Sequence, residues 1–241
     1  MDRLPIQSGA RDTRRRMLFE NDLCGLLFIV AGQENVTGMM QYFKIHPMNP
    51  QVRLINKVVD ILRDGGVIVY PTDSTYALGC HMEDKTALNR IIRIRQLNEK
   101  HHFTLVCRDL SEVSAYARFD TPAYRLLKFH TPGPYTFILR ATKEVPRRLL
   151  HPKQKTVGLR IPDHPIAQAI LKYLDEPMMT TTLLLPGDEY PLNNGDIIRD
   201  RLLPEVDLVI DGGACGTVPT TLVDLTGENP FLLRKGKGEW G

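Results

Sequence analysis

The sequence lacks the short patterns that most often identify a metal site or an active site. Cys24, Cys80, Cys107 and Cys215 include no C-x-x-C pair, which argues against a zinc ribbon or a thioredoxin-like motif. The seven histidines show no H-E-x-x-H spacing, and neither a G-x-S-x-G turn nor a Walker A loop occurs. The commonest hydrolase and NTPase classes are therefore excluded. We expect free buried thiols, a reducing cytoplasm and no structural metal.

The chain also lacks a strong net charge and a long apolar run. Its net charge is +3 over 241 residues, with 42% hydrophobic and 24% charged residues, which is the composition of a globular protein. No stretch approaches the roughly 18 consecutive apolar residues that a membrane helix needs, so we expect no membrane partner. Binding of nucleic acid would require a local basic patch.

The first forty residues differ from the rest of the chain. Arg14–Arg16 and the apolar stretch Leu26–Gly32 faintly resemble a signal peptide, but acidic residues interrupt the transition and the apolar stretch is short. We therefore predict an N-terminal extension at residues 1–39, poorly ordered or non-native, and one domain at residues 40–241.

Helices and strands alternate from residue 52 onward. Apolar residues recur at helical spacing over 52–62, Gly65-Gly66 ends this helix, and the buried strand 67–70 follows. Further helices are predicted after Asp84, at Thr121-Pro122 and at 165–174. Further strands are predicted at 103–107, 135–140, 157–161, 178–182, 207–211, 221–225 and 231–234. This order predicts an α/β fold in which a twisted, mixed sheet is flanked by helices.

A segment rich in hydroxyl groups, Tyr70–Cys80, follows the first predicted strand. We interpret it as a loop at the carboxyl end of that strand, where open α/β sheets place their ligands. Such a loop can offer hydroxyl and backbone donors to a carboxylate or a phosphate. The alternative is a turn in which Asp73 and Ser74 bond only to their own backbone.

Tyr-Pro-Thr-Asp-Ser-Thr-Tyr-Ala-Leu-Gly at 70–79 resembles the Y-P-T-[ED]-T-V-Y-G-L-G loop of the YrdC/threonylcarbamoyl-AMP synthase family. Other motifs match in order: T-P-G-P-Y-T at 131–136, V-G-L-R-I-P-D-H-P at 157–165, T-T-T at 180–182, P-T-T-L-V-D at 219–224 and L-R-K-G at 233–236. The resemblance covers roughly residues 41–238 and is closest to the YciO branch. It implies a single YrdC-like domain with a concave basic cleft.

The resemblance also implies a substrate class and a set of site residues. Synthases of this family join L-threonine, bicarbonate and ATP into threonylcarbamoyl-AMP for tRNA modification, so an ATP- or AMP-type nucleotide is the expected cofactor, and ATP would bring Mg²⁺ with it. Charge builds on the phosphoryl oxygens, which cations and hydroxyl donors stabilise. Catalytic roles fall to Thr72, Arg95 and Thr182. Binding roles fall to Ser74, Tyr76, Arg160, Thr180, Thr221 and Arg234.

Two of these arginines also have ordinary structural interpretations. Arg160 could pair with Asp163 at the surface, and Arg234 could be an edge-strand charge.

Three positions depart from the family pattern, and one of them is Arg95, where the family has lysine. The family helix ends in K-x-R-P, which aligns with Arg95-Gln96-Leu97-Asn98, and its S-x-N motif aligns with Thr182-Leu183-Leu184. Leu97 and Leu184 thus replace an arginine and an asparagine, which removes donors that would hold a carboxylate or a phosphate. We expect Arg95 to face the sheet and Arg93 to face water.

A basic segment points to a different class of partner. The segment from residue 140 to 155 contains six basic residues and one acidic residue, Glu144. The basic residues are Arg140, Lys143, Arg147, Arg148, Lys153 and Lys155, and this density of positive charge is suited to binding phosphates. Resemblance to the family also implies binding of double-stranded RNA or tRNA, and the alternative is a solvated loop or a pocket wall.

The sequence therefore leaves three functions open. The first is a divergent enzyme that acts on threonylcarbamoyl-AMP or a related acyl adenylate, for example by hydrolysis. The second is the synthase itself, and the third is a double-stranded RNA-binding protein without catalysis.

Overall fold

The computed structural model describes residues 40–98, 101 and 103–241, which belong to one compact unit. The extension predicted at residues 1–39 lies outside the described residues.

Eleven strands and six α-helices occur in this part of the chain. The strands are β1 (Gln41–Lys44), β2 (Ile68–Tyr70), β3 (Ala77–His81), β4 (Thr104–Val106), β5 (Ala117–Arg118), β6 (Tyr135–Ala141), β7 (Thr156–Arg160), β8 (Met178–Thr182), β9 (Leu208–Asp211), β10 (Thr221–Asp224) and β11 (Phe231–Arg234). The helices are α1 (Val52–Arg63), α2 (Lys85–Arg95), α3 (Leu110–Tyr116), α4 (Thr121–His130), α5 (Pro165–Leu174) and α6 (Gly195–Leu202). A 3-10 turn spans Arg147–Leu149.

The strands form one sheet in the order β1-β9-β2-β3-β8-β4-β7-β6-β10-β11, and β5 pairs with β6 beside this path. The pairs β1–β9, β9–β2, β4–β7 and β6–β10 are parallel. The other pairs are antiparallel. The predicted mixed sheet flanked by helices is therefore confirmed.

Alternation along β6 and β7 separates the two faces of the sheet. Phe137 and Leu139 of β6 and Val157 and Leu159 of β7 enter one large core cluster. The intervening positions hold Thr136, Ile138, Arg140, Thr156, Gly158 and Arg160. A sheet that reads apolar on one side and largely polar on the other has a face available for ligands.

Helices cover the second face only in part. The apolar sides of α1 and α5 pack on β2, β8 and β9 in a second core cluster, which includes Ile55, Ile170 and Ile210. Beyond these two helices, the face formed by β4, β6, β7, β8 and β10 carries the largely polar positions of the strands. We call this region the open face.

One sequence interpretation needs correction here. The segment Tyr70–Cys80 is not a loop throughout, because β3 begins at Ala77 and pairs antiparallel with both β2 and β8. Gly79 allows β3 to lie close to the side chains of its two neighbouring strands, since a Cβ there would be 3.0 Å from the Met178 sulfur and from the Tyr70 ring. The loop is confined to residues 71–76.

Candidate functional site

Two adjoining cavities of about 400 and 410 Å³ lie on the open face. They share His101, Thr181, Thr182 and Arg234, and we call them together the cleft. The remaining lining residues are Thr75, Ala77, Arg95, Asn98, Thr104, Thr136, Ile138, Arg160, Thr180, Leu184, Glu189, Tyr190, Pro191, Thr217, Val218, Pro219, Thr220 and Leu222. The cleft is therefore rich in threonine and holds three arginines.

The loop between β2 and β3 is ordered by its own hydroxyl groups. The Thr72 hydroxyl donates to the Thr75 carbonyl oxygen at 2.6 Å and accepts from the backbone N–H groups of Ser74 and Thr75, each at 3.2 Å. Thr72 and Ser74 are buried, and neither lines the cleft. Their hydroxyls shape the loop, and Thr75 is the loop residue that reaches the cavity.

Arg160 fixes this loop to β7. Its guanidinium forms a buried ion pair with Asp73 and donates to the Ser74 hydroxyl at 2.9 Å and the Thr72 hydroxyl at 3.2 Å. The alternative pairing of Arg160 with Asp163 is wrong, because the carboxylate that pairs with Arg160 is that of Asp73. Asp163 contributes only its backbone N–H, which donates to the Asp73 carboxylate at 3.2 Å. Arg160 thus orders the cleft wall, and its charge is neutralised by Asp73.

Arg95 and Arg234 differ from Arg160 because no carboxylate pairs with either among the described residues. Arg95 closes the last turn of α2 and lines the cleft, and its buried Nε has no hydrogen-bond partner. Arg234 donates from Nη2 and Nε to the Thr220 carbonyl oxygen at 2.9 and 3.3 Å. Burial lowers the pKa of both guanidinium groups. These are the two cations of the cleft that can neutralise a bound anion.

The strands supply a row of hydroxyl groups between these arginines. Thr136 and Thr220 share a hydrogen bond of 2.9 Å across β6 and β10. Thr180 donates to the Leu78 carbonyl oxygen at 3.1 Å and is bonded to the Tyr70 hydroxyl at 2.8 Å, and burial raises the pKa of Tyr70 to about 12. Thr182 lines both cavities, and its hydroxyl makes no hydrogen bond within the described ranges, so it can bind a ligand.

Five of the nine residues proposed for catalysis or substrate binding line the cleft: Arg95, Arg160, Thr180, Thr182 and Arg234. Two others turn away from it. The Tyr76 hydroxyl donates to the Gly213 carbonyl oxygen at 2.7 Å. The Thr221 hydroxyl accepts from the Gly236 N–H at 3.0 Å and donates to the Gly238 carbonyl oxygen. Both hydroxyls hold backbone segments in place, so they make poor ligand donors.

The sequence reasoning missed several lining residues. His101 lies 3.4 Å from the Thr181 hydroxyl, and Asn98 follows the left-handed Gln96 that ends α2. Thr220 immediately precedes β10, and the alternation rule extended by one residue would have placed it on the side opposite to Thr221. No pattern in the sequence marks His101 or Asn98, because they reach the cleft only through the path of the chain after α2.

The two leucines that depart from the family pattern lie in different places. Leu184 lines the cleft beside Arg95 and Tyr190. Leu97 lines a neighbouring cavity of about 480 Å³ together with Ile92, Phe103 and Leu150. Leu184 therefore occupies a position from which a polar group would reach a ligand in the cleft, whereas the cavity of Leu97 adjoins the cleft at Asn98 and His101.

Four of the six basic residues proposed for RNA binding line two cavities that share Lys155. Arg140 and Lys155 line a cavity with Arg118, and Arg147 and Arg148 line the cavity that holds Leu97. Arg148 also donates to the Met82 carbonyl oxygen at 2.9 Å. Lys143 and Lys153 are exposed in the loops that precede β7. Their proposed role in RNA binding remains a prediction.

Among residues 40–98, 101 and 103–241, no cluster of three or more acidic, histidine or cysteine side chains could hold a metal ion. Cys80, Cys107 and Cys215 are free thiols, and Cys24 lies outside this range. No helix in the same range is both long and apolar enough to cross a membrane.

The fold and the cleft define a family of α/β proteins. Residues 60–236 match the model of the Sua5/YciO/YrdC family, whose description is "Telomere recombination". The match spans well over half of the chain, so the protein belongs to this family.

Within the family, the chain is 59% identical over 201 residues to YciO of Escherichia coli (strain K12), covering 83% of this chain and 98% of that protein. The crystal structure of E. coli YciO superimposes with a TM-score of 0.81 over the same shares of the two chains. The human threonylcarbamoyl-AMP synthase is 31% identical over 183 residues, which cover 73% of this chain and 64% of the human protein. P. abyssi Sua5 complexed with L-threonine shares the fold at 24% identity, with a TM-score of 0.75 over 81% of this chain and 57% of that one.

Proposed function

We propose that the cleft binds an acyl adenylate and that the protein acts on threonylcarbamoyl-AMP, or on a close relative of it, as a divergent enzyme. The observation that carries this proposal is the pair of guanidinium groups, Arg95 and Arg234, which line a threonine-rich cleft and form no ion pair among the described residues, although Glu189 also lines the cleft. Burial without a carboxylate partner disfavours a charged guanidinium. A bound anion would supply the missing opposite charge to both.

Threonylcarbamoyl-AMP matches this arrangement in charge and in polarity. It carries one negative charge on its phosphate and one on its amino-acid carboxylate, so two cations and a row of hydroxyls can satisfy it. Relatives named threonylcarbamoyl-AMP synthase and a structural relative complexed with L-threonine support the choice of substrate class. AMP or ATP would occupy the same cations.

Hydrolysis is the reaction that suits this cleft best. Water would add across the bond between the carbamoyl carbon and the phosphate oxygen, giving AMP and the free carbamate, which then loses carbon dioxide. Arg95 or Arg234 would stabilise charge on the departing phosphate. Synthesis is disfavoured because Leu184 lines the cleft where the family pattern has asparagine, which removes a group able to orient threonine.

Calorimetry with AMP, ATP, L-threonine and threonylcarbamoyl-AMP tests this proposal. We expect AMP and threonylcarbamoyl-AMP to bind and threonine alone to bind weakly, and we expect the acyl adenylate to be converted into AMP. Absence of binding by every adenylate would contradict the proposal. Efficient formation of threonylcarbamoyl-AMP from threonine, bicarbonate and ATP would identify the protein as a synthase instead.

Binding of double-stranded RNA is a second candidate function. It is favoured by the exposed cations Arg140, Lys143, Lys153 and Lys155, which lie from the end of β6 to the start of β7, and the family resemblance extends the proposal to tRNA. A gel shift with duplex RNA at increasing salt, with and without saturating AMP, tests it. Binding that weakens with salt and persists with AMP would show an RNA surface separate from the cleft.

A further inference from the structure

We propose that the open face carries a second anion site, which binds a phosphoryl group and is separate from the cleft. The site is a cavity of about 470 Å³ lined by Arg118, Arg140, Gln154, Lys155, Thr156 and Thr226, and we call it the basic cavity. It shares no lining residue with the cleft. The proposal does not depend on the function proposed for the cleft.

The register of β6 and β7 separates the two sites. Arg140 pairs with Thr156 at one end of these strands, whereas Thr136 and Arg160 lie at the other end and line the cleft. Thr156 and Arg160 are four residues apart on one strand, which corresponds to about 13 Å. A ligand phosphate held by Arg234 in the cleft is therefore not the anion that the basic cavity would hold.

The charge of the basic cavity is almost unopposed. Its lining has three cations and no carboxylate, and Arg118, Arg140 and Lys155 form no ion pair with any residue that the structure describes. Among the described residues, the only hydrogen bond of these three side chains runs from Arg140 to the Thr226 carbonyl oxygen at 3.2 Å. Asp224, the nearest acid along β10, accepts from the N–H and hydroxyl of Thr226 at 2.8 and 2.7 Å.

Two local features support a bound oxyanion. The Thr156 hydroxyl is buried without a partner in the described part of the chain, and a buried polar group that lacks a hydrogen bond destabilises the fold. Lys155 adopts a φ of +55°, a left-handed conformation that is uncommon for residues other than glycine and concentrates at ligand-binding sites. An anion in the cavity would give the hydroxyl an acceptor and the lysine a partner.

The chemistry of the lining selects a phosphoryl group. Two guanidinium groups can each donate two hydrogen bonds to one tetrahedral oxyanion, and an ammonium group adds a third charge. No aromatic side chain lines the cavity, so a base would find no stacking surface. The same chemistry accepts a phosphate of a small molecule or a backbone phosphate of RNA.

The probe is inorganic pyrophosphate, titrated by calorimetry into the Arg95→Ala/Arg234→Ala variant so that binding at the cleft does not contribute. We expect saturable binding that Arg118→Gln or Arg140→Gln, added to that background, weakens by about tenfold or more, the usual effect of losing a hydrogen bond between charged groups. Arg125→Gln, which changes an exposed arginine of α4, serves as the matched control. Binding that is absent in the background, or unchanged by both substitutions, would overturn the proposal.

Thr156→Val distinguishes a binding role from a structural one. The substitution removes an unpartnered hydroxyl and keeps the shape of the side chain, so we expect an unchanged or higher melting temperature together with weaker pyrophosphate binding. Unchanged affinity would remove Thr156 from the site.

Duplex RNA, tested with the same variants, identifies the source of the phosphoryl group. Parallel loss of RNA and pyrophosphate binding would support backbone phosphates, and loss of pyrophosphate binding alone would support a small phosphorylated ligand.

Discussion

At the scale of single residues, the three arginines of the cleft have different tasks. Arg160 is neutralised by Asp73, whereas Arg95 and Arg234 form no ion pair with any described residue. Loss of Arg95 or Arg234 should therefore weaken ligand binding directly. Loss of Arg160 should affect binding only by changing the shape of the β2–β3 loop.

Replacing Arg95 or Arg234 with alanine should weaken binding of AMP or of the acyl adenylate by about 10- to 100-fold, because each change removes a hydrogen bond between charged groups. Calorimetry measures the effect. Arg93→Ala is the matched control, since Arg93 lies on the same helix and is exposed. Unchanged affinity in both cleft variants would place the nucleotide elsewhere.

Leu184→Asn should raise formation of threonylcarbamoyl-AMP above that of the wild type, because it returns to the cleft an amide that can donate and accept. The change should cost little stability, since Leu184 is only half-buried at the cleft wall. Product formation and melting temperature are measured together.

Leu97→Arg is the contrasting variant. It would place a further positive charge in a cavity that already holds Arg147, Arg148 and Lys155 beside apolar side chains, so we expect a lower melting temperature and no gain in synthesis. A folded Leu184→Asn variant without any gain would show that this leucine does not limit the reaction.

At the scale of elements, the β2–β3 loop depends on one buried ion pair. Arg160 and Asp73 have side chains that are only 7% and 9% exposed, and removing one partner would leave the other charge buried and unpaired.

Asp73→Ala should therefore lower the free energy of unfolding by about 3 to 5 kcal/mol, measured by denaturant titration. Asp163→Ala is the control, because this exposed carboxylate does not pair with Arg160 and its loss should have little effect. Equal effects of the two changes would contradict the assignment of the pair to Asp73.

His164, which precedes α5, should make stability depend on pH. Burial lowers its pKa below the ordinary value, so the unfolded chain binds a proton more readily than the folded protein. Stability should therefore fall as the pH drops through about 6.5, the pKa of an unperturbed histidine. Burial lowers the pKa of His130 as well, so both histidines act in the same direction.

His164→Gln should reduce the loss of unfolding free energy between pH 7.5 and 5.5, as followed by denaturant titrations at both values. An identical pH dependence in the wild type and in the variant would show that His164 is protonated equally in both states.

At the scale of the whole molecule, one face of the sheet forms the large core and the other carries the cavities. One face packs on the large core cluster, and the other is covered by α1 and α5 over β2, β9 and part of β8 and is open over β4, β6, β7, β10 and the rest of β8. The cleft and the basic cavity both lie on this open face.

A chain that starts at Met40 should keep the melting temperature and the adenylate affinity of the full-length protein. The family match begins at residue 60, and the sheet described above begins at Gln41. Thermal unfolding and calorimetry on both chains check this. A decrease of many degrees would show that residues 1–39 contribute to the stability of the core.

The sequence predicted most strands and helices because apolar periodicity marks them directly, as in α5 and β8. It failed at β3, where Ala77-Leu78-Gly79 contains no β-branched residue and follows a run of turn-forming residues. The helix α6 was missed for a similar reason, since Asn194-Gly195 reads as a turn. Arg95 and Arg234 could be selected only by resemblance, because 139 positions separate them and no periodicity links residues so distant along the chain.

The strand order has a consequence for synthesis of the chain on the ribosome. Within the described part of the chain, β1 pairs with β9 alone, and Gln41 faces Leu208. At the roughly 5 to 20 residues per second of translation, β1 would emerge roughly 8 to 33 seconds before its partner. During that interval β1 lacks the partner strand that it has in the folded sheet, and an unpaired strand edge can pair with another chain. Slower translation after β1 would lengthen this exposure, whereas the rate upstream of β1 would not affect it.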